Sequence, residues 1–162
     1  LGIIGTGRIG QAVAERAKGF GMKLLLYDVF PNPEFAEKVG AKYVELKELL
    51  SQSDFISIHV PLLPETRHMI GEKELSLMKP TAVLVNTSRG AVVDERALAQ
   101  ALKKGKIAGA CLDVFEHEPP VGSPLLDCPN TILTPHIGAS TEEAQRAAAV
   151  IIANKLKEIL QR

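Results

Sequence analysis

Near the start of the chain, Gly5-Thr6-Gly7-Arg8-Ile9-Gly10 has the spacing G-x-G-x-x-G. It stands between an apolar run, Leu1–Gly5, and a run with helical periodicity, Arg8–Phe20. That context gives the spacing a mechanism: Gly5 allows a tight turn, Gly7 lets backbone approach a diphosphate, and Gly10 lets the helix pack closely on the strand. Arg8, Ile9 and their neighbours then head a helix whose free N–H groups face the anion. Asp28 closes the next apolar run. A carboxylate there can accept hydrogen bonds from both hydroxyls of an adenosine ribose and repels a 2′-phosphate. Val29, Phe30 and Pro31 follow it, with no arginine, so the pattern predicts NAD over NADP.

A second set of polar residues falls at or just past the ends of later apolar runs. His59 precedes Val60 and Pro61; Thr87, Ser88 and Arg89 follow Asn86; Asp113, Glu116, His117 and Glu118 follow Leu112; Thr134, Pro135 and His136 follow Leu133. Ligands of a doubly wound sheet bind beyond the carboxyl ends of its strands, so these groups face one crevice. They suit hydride reduction of a 2-oxo acid. Arg89 offers a forked cation to hold a carboxylate and polarise a carbonyl. His136 titrates in the range needed to deliver a proton. Glu116 or Glu118 is placed to orient that histidine and favour its protonated form. His59, His68 and His117 are read as structural or exposed.

The elements that must position these groups alternate along the chain. Strands are predicted over Leu1–Gly5, Lys23–Asp28, Ala41–Val44, Asp54–Val60, Thr81–Asn86, Ile107–Val114 and Thr131–Thr134. Helices are predicted over Arg8–Phe20, Asn32–Val39, Leu46–Leu50, Glu72–Met78, Asp94–Lys104 and Ser140–Leu160. Ile9, Val13, Ala14 and Ala17 mark the inward face of the first helix. Ala144, Ala148, Ile151, Ile152 and Leu156 mark that of the last. Strands apolar almost throughout are the mark of a parallel sheet covered by helices. The expected fold is therefore α/β, a doubly wound parallel sheet (a Rossmann fold) of about seven strands, with residues 1–162 as one dinucleotide-binding domain.

Composition narrows the function classes. The 162 residues carry 19 basic and 19 acidic side chains, and 46% are apolar. Such a balance points away from nucleic acid and from anionic membrane surfaces. No apolar run reaches the roughly 18 residues needed to span a bilayer. Cys111 lies in an apolar run and reads as a core residue, while Cys128 lies in a loop. With only these two cysteines, and neither at zinc spacing, a reducing, cytoplasmic setting without a metal is expected. Leu1 opens directly into a strand, which reads as a fragment cut at a domain boundary.

The motifs together resemble the D-isomer-specific 2-hydroxyacid dehydrogenases. The likeness runs through Gly-Thr-Gly-Arg-Ile-Gly at 5–10, His-Val-Pro-Leu at 59–62, Asn-Thr-Ser-Arg-Gly at 86–90, Leu-Asp-Val-Phe at 112–115, Glu-Pro at 118–119 and Pro-His-Ile-Gly-Ala-Ser-Thr at 135–141. The resemblance implies Arg89, Glu118 and His136 as the catalytic trio, choosing Glu118 over Glu116. It implies that Arg8 and Ile9 lie along the pyrophosphate, that Asp28 holds the adenine ribose, and that Asp113 binds the nicotinamide carboxamide. Val60, Thr87 and Gly138 are implied as further cofactor contacts. It also implies a second, substrate-binding domain, absent from this chain, and a homodimer built through the cofactor domain. Gly-Ala-Ser-Thr-Glu-Glu-Ala-Gln at 138–145 looks most like phosphoglycerate dehydrogenases of serine biosynthesis, with glyoxylate and hydroxypyruvate reductases close behind. Two other readings stand beside the enzyme. One is an NAD(H)-sensing module like the C-terminal-binding-protein corepressors, disfavoured by the lack of a visible peptide-docking or basic region. The other is a structural domain without ligand, which leaves the glycine loop unexplained.

Overall fold

Ile3 and Ile4 are both fully buried, yet they lie in two separate cores. Successive side chains of a strand point to opposite faces, so a strand with two buried neighbours is covered on both sides. In the computed structural model, which describes residues 1–161, this strand is β1, Gly2–Ile4. It is followed by α1 (Arg8–Gly19), β2 (Leu25–Tyr27), α2 (Pro33–Val39), β3 (Lys42–Tyr43), α3 (Leu46–Gln52), β4 (Phe55–Ile58) and α4 (Glu72–Leu77). The remainder is β5 (Val83–Asn86), a 3-10 turn at Gly90–Val92, α5 (Glu95–Lys103), β6 (Gly109–Leu112), β7 (Thr131–Leu133) and α6 (Glu142–Leu160). The strands form one sheet in the order β3-β2-β1-β4-β5-β6-β7, every neighbouring pair parallel. The doubly wound parallel sheet expected from the sequence is the observed architecture.

Helices α1 and α2 cover one face at the β1–β3 end. Ala14 and Ala17 of α1 pack with Phe35, Ala36 and Val39 of α2 onto Ile3 and Leu26. Helices α3, α4 and α5 cover the other face, where Leu49, Leu50, Leu75 and Leu98 close over Ile4, Ile56, Ile58 and Leu84. Burying one such aliphatic side chain is worth about 1.5–3 kcal/mol. Asn32 caps α2 by accepting from Phe35 N–H at 3.0 Å, and Asp94 caps α5 by accepting from Ala97 N–H at 3.0 Å. The Asp94 cap is legible in the sequence, while Asn32, predicted as the first residue of its helix, is instead its cap.

Three expectations need correction. First, α6 has no inward face: none of its residues is buried, with Ile151 at 65%, Ile152 at 60% and Leu156 at 54% exposure. Its apolar residues run unbroken from Ala147 to Ala153 and so surround the axis. Periodicity locates such a helix but supplies no stripe to bury. Second, Ile9 is exposed rather than packed, because it stands on the first turn of α1, where it lines a cleft with His59 and Thr87. Third, Cys111 is only half-buried. It shares a face and a register with Val85 and Ile132, and Ile132 is itself 66% exposed, so this part of the sheet is left uncovered among the described residues.

Candidate functional site

Between β1 and β4 the strand order changes direction, and a crevice opens beyond their carboxyl ends. Gly5 leaves β1 at φ +92°, and a β-carbon on Gly10 would fall on the Gly5 carbonyl oxygen, so the helix approaches as closely as a bare backbone allows. Helix α1 then begins at Gly7 with no side-chain cap and no acidic residue in its first turn. Its leading N–H groups are left for an external anion. The space where a Gly7 side chain would stand is open, and Arg8 and Ile9 are exposed beside it. These features fit a dinucleotide diphosphate.

Asp28, just past β2, is already engaged. Its Oδ2 accepts from Thr6 N–H at 2.6 Å and from the Thr6 hydroxyl at 3.0 Å, and its Oδ1 accepts from Phe30 N–H at 2.9 Å. Tyr43 of β3 lies 2.8 Å from the Thr6 hydroxyl. Since that hydroxyl gives its single proton to Asp28, Tyr43 donates to it. A carboxylate has about four acceptor sites, so three donors leave one open for a sugar hydroxyl. The two-hydroxyl grip expected from the sequence therefore has room for one, unless Thr6 turns away.

On the other side of the crevice the loop after β5 is built by Asn86, which is 1% exposed. Its Oδ1 accepts from Ser88 N–H and the Ser88 hydroxyl at 3.0 and 2.9 Å, and its Nδ2 donates to Arg89 O at 3.0 Å. Sequence reasoning passed over this residue, although Asn two before Ser is a turn signal. The loop presents Thr87, Ser88 and Arg89 to a cleft of about 520 Å³, also lined by Ile9, His59, Val60, Pro61 and Leu62. Arg89 donates only to Ser88 O, at 2.6 Å, and no ion pair joins it to a carboxylate among the described residues. His59 contacts the Ser57 hydroxyl at 2.9 Å through Nε2, and burial pushes its pKa below the ordinary histidine value.

His136 follows β7 with φ +54°, a left-handed conformation uncommon outside glycine. Asp113 holds it there. Asp113 Oδ1 accepts from the Thr134 hydroxyl at 2.6 Å and from Ile137 N–H at 2.8 Å, while Oδ2 accepts from Gly138 N–H at 2.9 Å. Burial alone would raise the carboxyl pKa, but these three bonds outweigh it and hold Asp113 below its ordinary value. Asp113 thus fixes the turn around His136 and keeps one acceptor site on Oδ2. Gly138, having given its N–H to Asp113, retains its carbonyl. Thr134 was placed at the strand end by the sequence, but without this task.

The structure separates the two glutamates that spacing left open. His136 Nδ1 lies 2.7 Å from Glu118 Oε2, and Glu118 Oε1 accepts from Phe115 N–H at 3.1 Å. The contact with His136 is the main cause of a lowered Glu118 pKa. Glu116 points elsewhere, toward α5 and His68. Geometry therefore brings together His136, Glu118 and Asp113, while Arg89 lines the cleft beside Thr87 and Ser88 and is not paired with them.

Residues 1–138 match the family model for the D-isomer specific 2-hydroxyacid dehydrogenase, NAD binding domain. Among curated proteins, a glyoxylate reductase of Thermococcus litoralis is 60% identical over 156 residues, which are 96% of this chain and 47% of that protein. A D-3-phosphoglycerate dehydrogenase of Methanocaldococcus jannaschii is 54% identical over 162 residues, 99% of this chain and 31% of that protein. Among solved structures, a D-isomer specific 2-hydroxyacid dehydrogenase from Lactobacillus delbrueckii ssp. bulgaricus in its NAD complexed form superposes with a TM-score of 0.91 at 39% identity, covering 99% of this chain and 52% of that one. A glyoxylate reductase from Paecilomyes thermophila gives a TM-score of 0.90 at 47% identity, covering 99% and 49%. The chain spans about half or less of the length of these proteins.

Proposed function

Because the chain belongs to the D-isomer specific 2-hydroxyacid dehydrogenase family, matching its NAD binding domain, we propose that it holds NAD(H) for hydride transfer with a small 2-hydroxy or 2-oxo acid. The 2.7 Å contact between His136 and Glu118, in a chain whose α1 also starts uncapped, carries this reading. When bound, the nicotinamide supplies or receives the hydride. The α1 N–H groups, with Gly7, Arg8 and Ile9, hold the diphosphate, and Asp28 holds the adenosine ribose. The open site on Asp113 Oδ2 accepts from the carboxamide, and Val60, Thr87 and Gly138 complete the cofactor contacts. Arg89 swings from Ser88 O to the substrate carboxylate. Glu118 fixes the His136 ring through Nδ1, so that Nε2 delivers a proton to the carbonyl oxygen in reduction and takes it back in oxidation.

The rest of the substrate site and the closure that excludes water belong, in this reading, to a second domain of the longer parent protein. The parent is proposed as a cytoplasmic homodimer. Motif likeness at 138–145 supports 3-phosphoglycerate, in serine biosynthesis, as the substrate. The 60% identity to a glyoxylate reductase supports glyoxylate as a second reading. Calorimetric titration of this chain with NADH and NADPH tests cofactor binding, with NADH expected to bind and NADPH to bind weakly or not at all. Equal affinity for both, or none for either, would falsify the proposal. Glyoxylate, hydroxypyruvate and 3-phosphohydroxypyruvate offered to the parent protein separate the substrate readings.

A further inference from the structure

We propose that Glu116, together with Glu95, is a positioning residue that sets the loop bearing Glu118 against the loop bearing Arg89; this rests on the function proposed above. The two glutamates are cross-bonded. Glu95 N–H donates to Glu116 Oε1 at 3.2 Å, and Glu116 N–H donates to Glu95 Oε1 at 2.6 Å. Glu95 heads α5 and is only 9% exposed, and its Oε2 accepts from the Ser123 hydroxyl at 2.6 Å. A buried glutamate that spends both oxygens on another loop is costly to desolvate, so the arrangement has to return that cost in order.

Three segments meet at this knot. The first is the Arg89 side: Gly90 passes so close to Phe115 that a β-carbon on it would fall on the Phe115 carbonyl carbon. The second runs from Arg67 to Ile70. Arg67 Nη2 lies 3.9 Å and His68 Nε2 3.1 Å from the Glu116 carboxylate, although His68 Nε2 is not aligned for a hydrogen bond. This segment is strapped to the residues after Arg89, because His68 N–H donates to Ala91 O at 2.8 Å and Asp94 N–H to Ile70 O at 3.0 Å. The third is the stretch from Phe115 to Ser123, which carries Glu118. Phe115 N–H binds Glu118 Oε1, so backbone is pinned at Phe115 and at Glu116, and Glu118 is left with one direction, toward His136. Arg67 and the α5 N-terminus place positive charge beside the two carboxylates.

A residue that merely stabilised the fold would change the unfolding free energy and leave the Glu118 carboxyl alone. Carboxyl carbon NMR of Glu118 across pH separates the two roles. In the wild-type chain His136 holds this titration below the ordinary glutamate range. Glu116→Ala is expected to raise the Glu118 midpoint toward that range while NADH affinity stays within about twofold, since Glu116 bonds to none of the residues placed around the diphosphate and the ribose. Glu116→Gln keeps an acceptor for Glu95 N–H and is expected to restore most of the wild-type midpoint. An unmoved midpoint in the alanine variant, or a glutamine variant no better than alanine, overturns the proposal. Should Glu116→Ala not fold, Ser123→Ala loosens the same knot at Glu95 and is expected to raise the midpoint less; no rise there overturns it equally. His136→Ala serves as the separating control. If it leaves the Glu118 midpoint where it was, the His136–Glu118 pairing of the proposed function fails instead.

Discussion

The two ends of the crevice are built by different means. On the β1–β3 side both faces of the sheet are covered, and the glycine loop is shaped by close backbone packing of Gly5 and Gly10, with Asp28 as its one carboxylate anchor. On the β4–β7 side one face is partly open, at Cys111 and Ile132, and the polar groups come from three loops. There the connections are buried or half-buried carboxylates reaching to backbone N–H groups more than twenty residues away, as from Asp113 to Ile137 and from Glu95 to Glu116. A backbone cradle tolerates no added atom. A carboxylate bracket tolerates no lost charge or acceptor. The two ends should therefore fail under opposite substitutions.

The largest effect is expected from adding a methyl group on the first side. Gly10→Ala places a β-carbon on the Gly5 carbonyl oxygen, and about 3 kcal/mol of stability should go with it, together with NADH binding. Urea unfolding and a fluorescence titration measure both, and unchanged values would show that the loop is softer than its geometry. Next comes removal of an acceptor on the second side. Asp113→Ala strands the Thr134 hydroxyl and two backbone N–H groups, at a cost of about 2 kcal/mol. Hydrogen exchange should then quicken at Ile137 and Gly138 and stay slow at Gly5 and Gly10. Quickening everywhere would mean that the two ends are one unit.

A smaller change tests the one carboxylate that the first side does use. Asp28→Ala should weaken NADH about tenfold, which is roughly 1.4 kcal/mol, and narrow the preference over NADPH. The smallest effect concerns pH. Glu118 has its pKa lowered in the folded chain, so it binds its proton less readily there than when unfolded. The stability it adds is present above the ordinary glutamate value of 4.5 and is lost as pH falls through the lower folded value. Because its side chain is 36% exposed, water screens the pair and the contribution stays under about 1 kcal/mol. Denaturant midpoints of wild type and Glu118→Gln should converge toward the acid end and separate near neutrality. A gap independent of pH would assign Glu118 another role in stability.

How much was readable in advance follows the same division. Every strand and α-helix was located in order, because buried runs and a capping residue such as Asp94 are local signals; the 3-10 turn at Gly90–Val92 was not foreseen. The glycine loop was legible for the same reason. The pairing of His136 with Glu118 rather than Glu116 was not readable from spacing, since both glutamates lie in one loop and only tertiary packing turns one of them toward α5. The bracket role of Asp113, the loop-building role of Asn86 and the link from Thr6 to Asp28 were missed, because each spends its side chain on backbone or hydroxyl groups that no periodicity marks. The supposed inward face of α6 failed for a related reason: apolar composition was mistaken for contact.

The bare α-carbon of Gly90 has a practical corollary for redesign. Where two surface segments are separated by a full side chain, each can be exchanged between related enzymes on its own. Here the main chains at 90 and 115 touch without such a spacer, so a transplant of residues 86–90 has to travel with residues 115–118. Libraries that vary one segment alone would mostly sample misfits.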